Sequence, residues 1–324
     1  MKHILLTVAG IPALGLIFAA TASISGASAQ GDSQPASMQG SWTISPLPVA
    51  DQVEFTLQTS GERHHMNSSS AAPLSQFRGL TAAQLQNSPS ARFELVRDPG
   101  TFQLEGYLKN GSGGGTWTFA PSRKFADDMR SLGYNDLSPE TVFAMAAHDV
   151  SIAYIHDLNS AGLGHVSADR LIAMRIHGVS IDFIHRMQGL GYTELSADKL
   201  IAMRIHGVTP EFAKELKDQG FSPSLDQLVA MRIHGVTTAS VREYKDMGLS
   251  PNIDQLVAMR IHGVTPEFVK EVKGLGYDHP TIDQLVAMRI HGVTPEFIRK
   301  AQSKTSNNVS IDQLVSLKIH GVLD

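Results

Sequence analysis

Thr209–Val236 reads TPEFAKELKDQGFSPSLDQLVAMRIHGV, and its closing tripeptide recurs down the chain. His-Gly-Val stands at His177, His206, His234, His262, His291 and His320, with the variant His148-Asp149-Val150 one step earlier. The steps are 29, 29, 28, 28, 29 and 29 residues. So regular a period marks stacked supersecondary units, each too small to bury its apolar side alone and each leaning on the next.

Local signals divide the unit into two short helices. Thr209 is placed as an N-cap, Pro210 suits the first helical position, where its missing N–H is no loss, and Glu211 complements the positive helix end. Phe212, Ala213 and Leu216 share one face, Lys214, Glu215, Lys217 and Asp218 face water, and Gly220 ends the helix. The second helix starts after Ser224, with Asp226 in its first turn and Leu225, Leu228, Val229 and Ile233 as the expected apolar stripe. His234 falls in its last turn, and Gly235 supplies a left-handed terminator. Ser196, Asn252, Thr281 and Ser310 repeat the cap, followed two residues later by Asp198, Asp254, Asp283 and Asp312. Counted from Ser122, this predicts seven helix pairs over 122–324. Two copies depart from the pattern and are expected to be its loosest places. Ser240 and Tyr244 replace Phe212 and Leu216, and Thr305 to Val309 replaces the glycine-aromatic junction.

The remainder reads differently. Lys2, the apolar run Ile4–Ala20 and Ala27-Ser28-Ala29 have the form of a secretory signal cleaved before Gln30. A retained anchor is the alternative, but Gly10, Pro12 and Gly15 interrupt the run. Gln30–Gly40 is polar, and a disordered leader is expected there. Over 41–121 the period falls to two: Val53, Phe55 and Leu57, then Phe102, Leu104 and Gly106, then Trp117 and Phe119 alternate with polar residues. Strands are also expected at Arg63–Asn67 and Arg92–Asp98 with a helical turn at Thr81–Leu85 between them, and the run Gly111–Gly115 is read as a hairpin loop. So small a β-rich module should need the first helix pair to cover its open edge. The fold class is therefore mainly α: a solenoid of seven short helix pairs preceded by a small β-rich module.

Composition narrows the function. The chain has no cysteine, which excludes disulfides, thiolate metal sites and cysteine nucleophiles. Without Lys2 it carries 26 basic against 31 acidic residues, so a nucleic-acid partner is not expected. No later stretch has the ~18 consecutive apolar residues of a membrane helix, so no span is expected after cleavage.

Several residues invite a chemical reading. The histidines His177, His206, His234, His262, His291 and His320 suggest metal. Yet equivalent positions on successive helices should lie roughly 8–10 Å apart, too far for shared ligation with Zn–N near ~2 Å, so helix-end and inter-repeat hydrogen bonding is the expectation. Two residues before these histidines stand Arg175, Arg204, Arg232, Arg260 and Arg289, with Ala146 and Lys318 at the ends of the array. At ~100° per residue Arg232 falls within the apolar arc. A structural ladder is the reading, with helix-end carbonyls and Glu211, Asp226, Asp254 or Glu267 as partners; a row of cations for an anionic ligand is the alternative. His64 and His65 point to opposite faces of a strand and would not chelate together. No zincin, nucleophile-elbow, Walker or Rossmann motif is present. No cofactor or metal is expected.

The repeated Thr-Pro-Glu-Phe, Gly-Tyr or Gly-Phe and Asp-Gln-Leu-Val-Ala-Met-Arg-Ile-His-Gly-Val resembles the extracytoplasmic repeat region attached to BlaR/MecR-like sensor metallopeptidases. Gly40–Trp42 and Phe102–Leu108 are similar to the β module that accompanies it. The likeness spans nearly all of 40–324, but the family's membrane helices and zinc-peptidase motif have no counterpart, so no catalytic residue carries over. The expected function is that of a periplasmic or secreted, non-catalytic scaffold for another envelope protein or peptide, with Lys214, Arg242, Lys270 and Arg299 as the candidate contact surface. The alternatives are a ligand-sensing component of a BlaR/MecR-like signalling system, binding between β module and first repeats, and a hydrolase whose site the sequence does not display.

Overall fold

The computed structural model describes residues 38–59, 67–304 and 309–323. The signal segment, the leader up to residue 37, His64-His65 and most of the departing junction at 305–308 lie outside the described residues. Residues 38–323 belong to one compact unit.

Seven antiparallel strands form a half-barrel: β1 (Gln39–Pro46), β2 (Gln52–Thr59), β3 (Asn67–Pro73), β4 (Phe77–Arg78), β5 (Asn87–Arg97), β6 (Gly100–Lys109) and β7 (Ser112–Pro121). Their order is β3-β2-β1-β7-β6-β5-β4, so β7 returns beside β1 and leaves β3 and β4 as the two edges. Between β4 and β5 lies one helical turn, α1 (Ala82–Gln86), closed by a Thr81–Gln84 capping box. Val53, Phe55, Leu57, Phe93, Leu95, Phe102, Leu104, Trp117 and Phe119 are buried on the inner face, as period-two alternation requires. β1 begins at Gln39, two residues inside the stretch expected as leader.

The glycine run is not a loop. Asn110-Gly111 makes the turn, and Gly113, Gly114 and Gly115 continue β7, paired with both β1 and β6. An indole packs beside it. Trp42 of β1 sits opposite Gly115, which sits opposite Gly106 of β6, and the Trp42 ring lies where a Cβ on Gly106 would stand. Its Nε1 donates to the carbonyls of Glu105 (3.2 Å) and Thr116 (3.1 Å). A Cβ on Gly115 would collide with the Glu105 carbonyl oxygen. Trp117 mirrors this arrangement, passing over Gly40 and donating to Ser41 and Gln58.

Seven helix pairs follow: α2 (Arg123–Ser131) with α3 (Pro139–Ala147), α4 (Ile152–Ser160) with α5 (Ala168–Ile176), and α6 (Ile181–Gly189) with α7 (Ala197–Ile205). Then come α8 (Pro210–Asp218) with α9 (Leu225–Ile233), α10 (Thr238–Asp246) with α11 (Ile253–Ile261), α12 (Pro266–Gly274) with α13 (Ile282–Ile290), and α14 (Pro295–Lys304) with α15 (Ile311–Ile319). First helices stack on first helices and second on second, which makes two layers. Each helix is nine or ten residues, below the ~12–15 at which an isolated helix becomes even marginal, so stacking supplies the stability. Caps behave as read: Thr209 accepts from the Phe212 N–H and Ser224 from that of Gln227. Gly235 takes φ 70°, letting the Val236 N–H return to the Met231 carbonyl at 2.8 Å.

Two expectations need correction. The buried stripe of α9 is Leu225, Leu228 and Met231, whereas Ile233 is 53% exposed. At ~100° per residue, Ile233 lies ~160° round the helix from Met231, on the same side as Asp226 and Ala230. The departing copy is also well filled. Ser240 is buried and Tyr244 is fully buried, its hydroxyl donating to the Val264 carbonyl at 2.5 Å. Tyr154, at the Phe212 position of an earlier unit, bonds the equivalent Val179 carbonyl at 2.8 Å. An aromatic ring has thus moved one turn along its helix while serving the same carbonyl.

The half-barrel and the stack share residues. Val142, Phe143, Ala146 and Ala147 of α3 belong to the β core. Phe143 stacks on Trp117 at 5.2 Å and meets Phe102 and Phe119 edge-on. The first pair therefore covers the inner face of the sheet, not an edge.

Candidate functional site

One side of the second-helix layer is defined by the three positions that face away from the core. Asp226, Ala230 and Ile233 of α9 fall within one arc, and the same residue types recur in α5, α7, α11 and α13. The last of the three is an unusual residue to leave in water. Ile176, Ile205, Ile233, Ile261, Ile290 and Ile319 are 48–54% exposed, once in each of the last six units and in the same place, where the first unit has the buried Ala147. Single exposed apolar residues are ordinary, but a row repeated at every step of a stack forms a continuous apolar line. Ala173, Ala202, Ala230, Ala258 and Ala287 lie beside it, one turn earlier, where a small side chain leaves the helix backbone approachable. The histidines that follow the isoleucines cap the same helix ends: the His234 N–H bonds the Ala230 carbonyl at 3.0 Å.

The arginines lie under this line and not in it. Arg175, Arg204 and Arg289 donate through Nε to the carbonyls of His148, His177 and His262, at 3.2, 3.3 and 3.4 Å, one unit back. Their guanidiniums cover the rings of Tyr154, Phe183 and Phe268 at 5.0–5.3 Å, as Arg232 covers Phe212 and Lys318 covers Phe297. The Nε atoms of Arg232 and Arg260 find no acceptor among the described residues. Arg260 has Ser240 where the ring would be, and sits against Tyr244. Burial pushes the Tyr154 phenol up to about 12, against the opposing pull of Arg175. Of the acidic partners considered for Arg232, Glu211 instead pairs with Arg186 of the preceding unit, which holds its carboxyl below the usual range. Asp254 accepts from Gln227 at 3.4 Å.

The first-helix layer carries the cations singled out from the sequence. Lys214, Arg242, Lys270 and Arg299 are all exposed. Lys214 pairs with Asp218 along its own helix at 2.7 Å, while Arg242 reaches back to Glu215 (3.3 Å) and Lys270 to Glu243 (3.9 Å). Two of the four are thus spent between units. The exposed isoleucines were the signal that sequence reasoning passed over, because an apolar residue at a helix end reads as core.

At the seam with the half-barrel, the first unit departs from its successors. Ala146 stands where later units have arginine, and Asp149 takes the glycine position with φ 56°. Arg97, from the end of β5, supplies the missing guanidinium. Its Nη1 donates to the Ala146 and Ala147 carbonyls at 2.6 and 2.7 Å, and its side chain is 8% exposed. Asp149 lies between Arg97 (3.8 Å) and Arg175 (2.6 Å). Burial, then Arg97 and Arg175, pull the His148 imidazole below its ordinary value.

Among the described residues, no three His, Asp or Glu side chains stand close enough to hold a metal ion, and no helix is long and apolar enough to cross a membrane. Against known family models, curated proteins and solved structures, the chain matches none.

Proposed function

We propose that this chain is an exported, non-catalytic recognition scaffold of the cell envelope that binds an extended polypeptide along the exposed side of its second helices. One observation carries the reading: six isoleucines, each about half exposed, in one line down the stack. Helices packed side by side sit roughly 8–10 Å apart. A polyproline II segment advances ~3.1 Å per residue with three residues per turn, so every third side chain returns to one face after ~9.3 Å. The fitting partner therefore places an apolar residue at every third position. Asp226, Asp254, Asp283 and Asp312 at the opposite ends of the same helices favour basic residues on its flank, whereas Asp198 is already paired with Arg170.

The test uses the full chain and two peptides of one composition, with leucine at every third position of a proline- and lysine-rich host or scrambled. The ordered peptide should bind at least tenfold tighter, and Ile205→Ser, Ile233→Ser and Ile261→Ser together should abolish the difference without lowering Tm. Equal binding of both peptides, or an unaffected triple variant, would overturn the reading. The second reading, a ligand-sensing component of a BlaR/MecR-like system, is favoured by a different observation, the polar cavity at the seam.

A further inference from the structure

We propose that this cavity is a binding site for a small molecule carrying one carboxylate. It has a volume of about 330 Å³ and lies between β3, Gln76, Arg97, the end of α3 and the end of α5. At ~30 Å³ per water it holds about ten waters, or a solute the size of an acylated amino acid or a sugar acid.

The wall chemistry is out of keeping with the rest of the half-barrel. Ser68 and Ser70 pair in register with Leu57 and Phe55, which places them on the inner face of the sheet. That face is otherwise apolar, and here it offers hydroxyls. Arg97, next on the inner side after Phe93 and Leu95, lines the cavity from β5. A guanidinium that is 8% exposed needs a close counter-charge, and Asp149 stands 3.8 Å away because its other oxygen is held by Arg175 at 2.6 Å. The contacts nearest Arg97 are two neutral carbonyls. Two guanidiniums thus share one carboxylate, and the lining holds no other acid. Burial first, and then this same surplus of positive charge, depress the affinity of His148 for a proton.

A single further carboxylate balances that surplus. Its two coplanar oxygens match the guanidinium fork, and the serines and Gln76 supply hydrogen bonds to the body of the ligand. A dianion such as phosphate would leave a negative charge over. The site meets the isoleucine line only at Ile176, which the triple isoleucine variant leaves intact, so either assignment can fail alone.

Calorimetric titration of the full chain tests it with four probes: N-acetylglycine and glucuronate as carboxylates, N-acetylglycinamide and glucose as their uncharged counterparts. At least one acid should bind saturably and tenfold or more tighter than its counterpart, and which acid does so separates a peptide terminus from a sugar acid. Arg97→Gln should remove binding but also threatens the seam. Ser70→Val and Gln76→Leu, at exposed wall positions, should therefore each weaken binding at least fivefold in a protein of unchanged Tm. Absence of saturable binding by either acid, equal binding of acid and uncharged probe, or wall variants that bind like the parent would overturn the assignment.

Discussion

Replacing Phe143 by alanine should unfasten the half-barrel while leaving the distant repeats standing. The ring is 1% exposed and touches Trp117, Phe102 and Phe119, although it belongs to a helix of the stack. Truncating a buried phenylalanine costs about 3–5 kcal/mol, and the lost ring pairs place this site in the upper part of that range. With a urea dependence of ~2 kcal/mol per molar for a module of this size, a cost of about 4 kcal/mol moves its midpoint down by roughly 2 M. Both tryptophans of the chain, Trp42 and Trp117, lie in the half-barrel, so fluorescence reports the module and helical circular dichroism reports the stack. Fluorescence should shift by that amount, the helical signal of the distant units should shift far less, and Phe143→Leu should lose under ~1.5 kcal/mol. A fluorescence midpoint displaced by less than roughly 0.3 M would refute the shared core.

Two further outcomes follow from local geometry. Ser240→Phe should overpack against Tyr244 by about 1–3 kcal/mol, and Tyr244→Leu should leave a void and lose the bond to Val264, yet the double substitution restores the pattern of the other units; a urea double-mutant cycle should give a coupling above ~1 kcal/mol, and additivity would sink the idea. The His148 side chain has its folded-state proton affinity depressed, so its contribution to stability is complete above the ordinary histidine value of 6.5 and is lost as the pH falls through the lower folded value. Thermal melts between pH 7 and 5 should show a decline that His148→Gln flattens, and an identical decline in that variant would count against the seam as its source.

Much of the helical stack was legible because its instructions are local. Thr209, Pro210, Ser224 and Gly235 each act within a turn of themselves, and their repetition made the reading redundant. What escaped acts at a distance. Gly113–Gly115 carries the same letters as a flexible loop, and it is a strand through pairing with β1, some seventy residues earlier, and with β6. Arg97 has no local signature, since its partners at Ala146 and Ala147 lie about fifty residues on. Ile233 was misplaced for a different reason. Spacing from Val229 suggests a common face, but the buried arc is centred on Leu228 and Met231, and a nine-residue helix leaves its last turn on the far side. The exposed isoleucines emerge only when side-chain direction is counted from the buried residues.

The Tyr244 ring bears on how such arrays diverge. Tyr154 and Tyr244 arise from different turns of their helices, yet each brings a phenol to the carbonyl that closes its own unit and sets an aromatic surface by the neighbouring guanidinium. Duplicated modules can then drift apart letter by letter through paired exchanges that keep interior volume and polarity level, and an alignment of the copies will score as mismatches two columns that are physically one compensated site.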